Sequence, residues 1–269
     1  MDNRLIILGT GNAMVTRCFN TCFILQSGDN RLMVDAGGGN GILKQLMAAG
    51  VEISSIHHLY LTHAHTDHVM GAVWVVRKVT SLISQGRYDG VLQVYGHERV
   101  LHVLRTMCEM MLPKKFSSML GNKILLVEVT DGERFEAAGM QLVAFDIHST
   151  KEKQFGFTAL LPDGTRVACL GDEPFNALCH EHVAGADWLL SEAFCLYDDR
   201  ERFKPYEKHH STALDTGRLA KELNVRNLVM YHTEDKTLAT RKQTYAEEAA
   251  KEFDGNIYVP EDLEVIFLC

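Results

Sequence analysis

The sequence predicts an α/β chain made of two similar βα halves packed as one unit, and three observations carry that expectation. Strand and helix signals alternate along the whole chain. Each half runs strands first and helices later. Histidines and aspartates recur just past the ends of apolar strands. With 269 residues and 46% hydrophobic content, the chain can bury one large core or two small ones.

In chain order, residues 5–8 form a short apolar strand that runs out at Gly9-Thr10-Gly11. Residues 22–25 and 31–35 pair as a hairpin around Ser27-Gly28-Asp29-Asn30, and Gly37-Gly38-Gly39 follows. A helix from about residue 41 carries Ile42, Leu43, Leu46 and Met47 on one face and stops at Gly50. An apolar run over 56–61 leads into a histidine cluster. A helix over about 69–84 comes next, closed by Gly86. Residues 91–95 read as a strand, and the helix over 98–111 is stopped by Pro113. The second half opens with strands near 124–129 and 140–147. A hairpin of 155–161 and 166–170 turns at Pro162-Asp163-Gly164. Helices follow at 175–183 and 213–223, strands at 187–190 and 227–230, and a last helix at 241–253. Short strands near 257 and 264–267 close the chain.

The formal net charge of −8 argues against field-driven nucleic-acid binding. No apolar run reaches 18 residues and no signal peptide is visible, so no membrane span is expected. Seven scattered cysteines (18, 22, 108, 169, 179, 195 and 269) fit a reducing cytoplasm. Cys18 and Cys22, the one close pair, read as small buried hydrophobes. The two Gly-rich turns match neither GxGxxG nor a Walker loop and read as tight turns.

His63-Ala64-His65-Thr66-Asp67-His68 puts four metal-capable side chains within six residues. Helical positions two apart point to nearly opposite sides, so the cluster is expected on a loop leaving a strand. Imidazoles with a carboxylate suit zinc and similar borderline ions. A two-metal site needs about six protein ligands and a shared bridge. His148, Asp172 and His232 each follow an apolar strand, as His63 does, and strand ends converge on one sheet edge.

This pattern resembles the metallo-β-lactamase fold, a four-layer αββα sandwich with metals at one edge of its two sheets. The resemblance covers nearly the whole chain, taken as a single domain over residues 1–269. It implies that His63, His65 and His148 hold one metal and that Asp67, His68 and His232 hold a second. Asp172 would bridge them. Two motifs resemble the ribonuclease Z branch: Ser191-Glu192-Ala193-Phe194 and His209-His210-Ser211-Thr212-Ala213. The turns at Leu8-Gly9-Thr10-Gly11 and Val34-Asp35-Ala36-Gly37 also look like that branch. Ser211-Thr212 further reads as a helix N-cap, with His210 at the helix entrance. Glu192 can orient His210 and raise its basicity.

The implied activity is dinuclear, metal-dependent hydrolysis, with metal-activated water attacking phosphorus. Asp67, His210 and Glu192 are the implied catalytic residues. Zinc is the default for both ions and manganese the alternative; a redox iron centre is disfavoured because that branch has a Glu where His65 stands. The chain departs from ribonuclease Z in two places. The short interval between His148 and Asp172 holds one hairpin and has no room for a tRNA-gripping arm. The Gly37-Gly38-Gly39 stretch lacks that family's acidic residue and Thr-Gln. The expected substrate is a small phosphodiester or an RNA 3′ end, with a homodimer as the candidate assembly. Lys151, Lys153, Lys204 and Lys208 are the cations expected near the mouth. Hydrolysis of a lactone, thioester or lactam, true tRNA 3′-end cleavage, and a non-enzymatic binding scaffold are the alternatives.

Overall fold

The computed structural model describes residues 2–268, so Met1 and the seventh cysteine, Cys269, lie outside the described residues. Period-two alternation assigns each strand residue to a sheet face. In β1 (Asn3–Gly9), Ile6 and Leu8 face the helices, whereas Leu5 and Ile7 face the opposing sheet. β2 (Cys22–Ser27) repeats the pattern, with Cys22 and Ile24 outward and Phe23 and Leu25 inward. Burial on both faces explains why these strands read as continuous apolar runs.

β3 (Asn30–Val34) forms the expected hairpin with β2. β4 (His58–Tyr60), β5 (Leu92–Gly96) and β6 (Ile124–Glu128) then add in parallel. With β14 (Val265–Phe267) on the far edge, the first seven-stranded sheet runs β14-β1-β2-β3-β4-β5-β6. α1 (Gly41–Ala48), α2 (Thr66–Ser84), α3 (Glu98–Met111) and the short α4 (Lys114–Ser117) pack on its outer face.

β6, expected to open the second half, instead closes the first sheet through its parallel pairing with β5; the second half otherwise repeats the plan. Its strands are β7 (Arg134–Ala137), β8 (Met140–Asp146), β9 (Phe155–Leu160), β10 (Arg166–Cys169), β11 (Trp188–Glu192), β12 (Asn227–Tyr231) and β13 (Asn256–Tyr258). They run in the order β13-β12-β11-β10-β9-β8-β7. Of α5 (His180–Val183), α6 (Arg200–Phe203), α7 (Ala213–Glu222) and α8 (Leu238–Ala249), the first and last two pack on the outer face. The inner faces of the sheets meet in one core that includes Tyr60, Phe157 and Trp188. Tyr60 and Phe157 pack edge to face with ring centroids 5.1 Å apart. The architecture is the expected αββα sandwich.

Four local expectations are corrected. The helix expected over 175–183 shrinks to a 3₁₀ turn, Ala177–Cys179, and α5. Asn176 is extended there, and its side chain accepts a hydrogen bond from the Leu178 amide, a local cap that blocks an earlier start. The last helix begins at Leu238, ahead of the expected 241. Strand β7 was not expected, because its exposed Arg134 and Glu136 hide the alternation. Met47 is 75% exposed, whereas Ile42 and Leu46 of the same helix are buried, so the apolar face is narrower than its sequence pattern. Among the described residues, no helix is long and apolar enough to cross a membrane.

Topology gathers the strand exits. β3 to β6 run parallel, as do β10 to β13, so their C-terminal ends lie together at one edge of each sheet. β8 and β10 each pair antiparallel with β9, so β8 also ends at that edge. In open α/β sheets this edge is where ligands bind.

Candidate metal centre

β4 leads through Leu61 and Thr62 to His63, which is fully buried. The cluster that follows does not sit wholly on a loop, and that expectation is corrected. His63 to His65 are loop residues, but Thr66 opens α2, with His65 as its extended N-cap residue (φ −65°, ψ 150°). Asp67 and His68 therefore stand on the first helical turn. Free amides and the positive end of the helix dipole favour the Asp67 carboxylate there. The loop-to-helix junction turns all four side chains inward, which a continuous helix could not do. The turn after β3 holds this helix start: Ala36 N donates to His68 O at 3.0 Å and Gly71 N to Gly37 O at 2.8 Å. Only glycine fits at 71, since a Cβ there would lie 1.8 Å from Ala36 O.

Six of the seven expected ligand residues come together. They form two triads, His63/His65/Asp172 and Asp67/His68/His232, within each of which the ligand atoms lie within 4.8 Å of one another. Asp172 touches both. Its Oδ2 lies 3.7 Å from His63 Nε2, 3.6 Å from His68 Nε2 and 3.4 Å from His232 Nε2. Asp67 Oδ2 lies 3.4 Å from His68 Nε2 and 3.5 Å from His232 Nε2. His148 stands apart. β8 brings it to the same edge, but it is exposed and joins neither triad. Its backbone N–H donates to Asp146 Oδ1 at 2.7 Å. Asp35, His148 and His232 share left-handed backbone, with φ of 55°, 58° and 57°. That conformation is uncommon for non-glycine residues and is concentrated at functional sites.

The donor set fits divalent cations. The side-chain nitrogens of His232 and the Nε2 of His68 are buried without a hydrogen-bond partner, although carboxylate oxygens lie 3.4–3.6 Å from the two Nε2 atoms. Such orphaned polar atoms are costly unless something else satisfies them. The electrostatics ask for positive charge. Burial alone would drive the proton from His68, yet the carboxylates of Asp67 and Asp35 hold its pKa well above the ordinary histidine range. Burial pushes Asp67 and Asp172 upward, but neighbouring histidines outweigh it and keep both carboxyls well below their usual range. Burial dominates at His63 and keeps that imidazole neutral, the form that ligates a metal.

Asp35 sets the tautomers and was not singled out from the sequence as a site residue. Its Oδ2 accepts from the Thr62 hydroxyl at 2.7 Å and from His68 Nδ1 at 2.7 Å, and its Oδ1 accepts from Thr62 N at 2.9 Å. With its proton committed to Asp35, the Thr62 hydroxyl accepts from His63 Nδ1 at 2.9 Å. Both imidazoles thus donate from Nδ1 and present Nε2 to the cluster. Carboxylates behind ligating histidines do this at many metal sites. The available signal was the Val34-Asp35-Ala36-Gly37 turn at a strand exit.

β11 ends on Glu192, which is fully buried. One of its oxygens accepts from the Ser211 backbone N–H. The other faces His210 Nδ1 at 3.6 Å, beyond hydrogen-bond range. His210 stacks on Phe194, with ring centroids 4.7 Å apart and planes 6° off parallel, and its ring lies 5.2 Å from that of His232. Thr212 is the N-cap of α7 and forms a capping box with Asp215.

His65, Asp67, Asp172, His210 and His232 line a cavity of about 630 Å³. Phe194, Phe203 and Met14 give it an apolar wall. Of the four expected cations, Lys151 and Lys208 line it, and Lys151 Nζ also lies 3.5 Å from Glu173 Oε1 and donates to Lys208 O at 3.0 Å. Lys153 is paired with Glu98 at 2.9 Å and Lys204 with Glu201 at 2.8 Å.

Fold and site define the class: the protein is a metal-dependent hydrolase of the metallo-β-lactamase fold, similar to ribonuclease Z. Ribonuclease Z from Bradyrhizobium sp. (strain ORS 278) is 25% identical over 282 residues, covering 85% of this chain and 88% of that protein. The metallo-β-lactamase fold protein YhfI from Bacillus subtilis superposes with a TM-score of 0.80 at 17% identity, over 99% of this chain and 100% of that one. Human tRNase Z, short form, gives 0.75 at 19% identity, over 99% of each chain. A family model described as Anti-Pycsar protein Apyc1 matches residues 3–252, and the chain belongs to that family.

Proposed function

We propose that the chain is a single-domain phosphodiesterase, over residues 1–269, that holds two divalent cations and cleaves small phosphodiesters, cyclic or linear. The cavity is the observation that carries this reading. It is lined by residues of both triads and His210, and it offers two lysines where a phosphate would enter. Zinc is the default for both ions and manganese the alternative. His63, His65 and His148, the last turning in from its strand exit, would hold one cation, Asp67, His68 and His232 the other, and Asp172 would be shared by both.

Cations bound there would acidify a water molecule and neutralise charge that develops on the phosphate. The residues supply the rest. Asp67 Oδ2 faces the cluster, and the carboxylate can accept a hydrogen bond from the attacking water while ligating. His210, flat against Phe194 and backed by Glu192, is held to protonate the leaving oxygen or bind the phosphate. Lys151 and Lys208 steer the anion inward. Those two side chains suffice for one or two phosphates, whereas an RNA duplex needs a row of cations along a groove. The interval between His148 and Asp172 is a hairpin fastened to the sheet.

The test is kcat/KM on small phosphodiesters, chromogenic and cyclic, against a tRNA precursor, with one metal-loaded preparation. Turnover of the small substrates with little removal of the 3′ trailer is expected. Efficient, salt-sensitive trailer removal contradicts the proposal. A cytoplasmic setting belongs to the same reading, supported by six free cysteines among the described residues, as does the homodimer, which sedimentation checks.

A further inference from the structure

Asp172 uses its two carboxylate oxygens differently. Oδ2 is its nearest oxygen to His63, His68 and His232, at 3.7, 3.6 and 3.4 Å. Oδ1 accepts a hydrogen bond from the side-chain amide of Gln154, which is fully buried. The same amide returns a second bond, since Gln154 Oε1 accepts from the Asp172 backbone N–H at 2.9 Å. The amide orientation is dictated. Reversed, its oxygen would face a carboxylate and its NH₂ would face an N–H, and both contacts would repel. Gly171 makes the approach possible, because at its φ of +77° a Cβ would lie 2.2 Å from Gln154 Oε1. Gln154 also sits where the site's segments meet. Its backbone carbonyl accepts from Ile147 N at 3.1 Å, next to His148, and the Phe155 N–H donates to Thr62 O at 3.0 Å, next to His63.

We propose that Gln154 is a positioning residue that makes Asp172 a one-oxygen bridge. It fixes Oδ1 and the backbone amide so that Oδ2 alone is offered to both triads. A free carboxylate can turn and give both oxygens to one cation, since carboxylates ligate in mono- or bidentate fashion. The clamp forbids that turn. This inference rests on the dinuclear reading above.

Two variants test it: Gln154→Glu, which keeps the shape but sets a second carboxylate against Oδ1, and Gln154→Met, which removes both hydrogen bonds without adding charge. Each is titrated with manganese(II) and followed by calorimetry and electron paramagnetic resonance. Wild type should bind two ions and show the signal of an exchange-coupled pair. Both variants should keep one tight site and bind the second ion about 10–100-fold more weakly, the usual effect of losing a partner behind a ligand. The pair signal should fade accordingly. Two ions at wild-type affinity with an unchanged pair signal in both variants would overturn the inference. A wild-type chain that binds fewer than two ions would instead overturn the dinuclear reading. Should neither variant fold, the Gln154 side-chain amide resonance of the wild-type protein decides. It should move during a zinc titration, and a resonance that stays in place would overturn the proposal.

Discussion

Asp172→Ala is expected to abolish metal loading and turnover together. Among the described residues, Asp172 is the one carboxylate with an oxygen within 3.4–3.7 Å of histidines from both triads. Removing it leaves His63, His68 and His232 converging on a space with less negative charge to hold cations. The loss should exceed the about 10–100-fold that follows removal of a partner behind a ligand, because this side chain is itself proposed as a shared ligand. Metal content per chain and kcat, measured on the same preparation, check the expectation. Near-normal turnover in the variant would show that Asp172 is not the bridge.

His210→Ala is expected to separate chemistry from metal binding. His210 lies beside the triads, stacked on Phe194 and backed by Glu192, and its nearest cluster neighbour is His232. The variant should keep both ions and lose roughly 10²–10⁴-fold in kcat, the usual worth of a positioned acid or base. That range corresponds to about 3–5 kcal/mol of barrier. A variant that also loses metal would make His210 a ligand, an outcome the grouping of Glu192, His210 and His232 makes worth measuring.

The fold was legible because its signals are local and repeated. Apolar runs such as Ile6 to Leu8 and Leu189 to Leu190 mark strands buried on both faces. Gly50, Gly86 and Pro113 mark where helices stop. Legibility failed where a local hydrogen bond or an exposed position decided the outcome, as at Asn176, at Met47 and along β7. The gathering of His63, Asp172 and His232 followed from one rule, that parallel strands deliver their exits to one edge, and the cluster that begins at His63 brings His65, Asp67 and His68 with it. The position of His148 did not follow, because a strand exit fixes where a backbone leaves and not where its side chain turns. Asp35 and Gln154 were the hardest to read. Neither belongs to the ligand pattern, and each acts by holding a residue that does.

This edge is proposed to hold a pair of cations. Elemental analysis of wild-type protein, purified without chelator and dialysed against metal-free buffer, tests it most directly. Close to two transition-metal ions per chain is the predicted result. A content near zero or one after supplementation with zinc or manganese would contradict it.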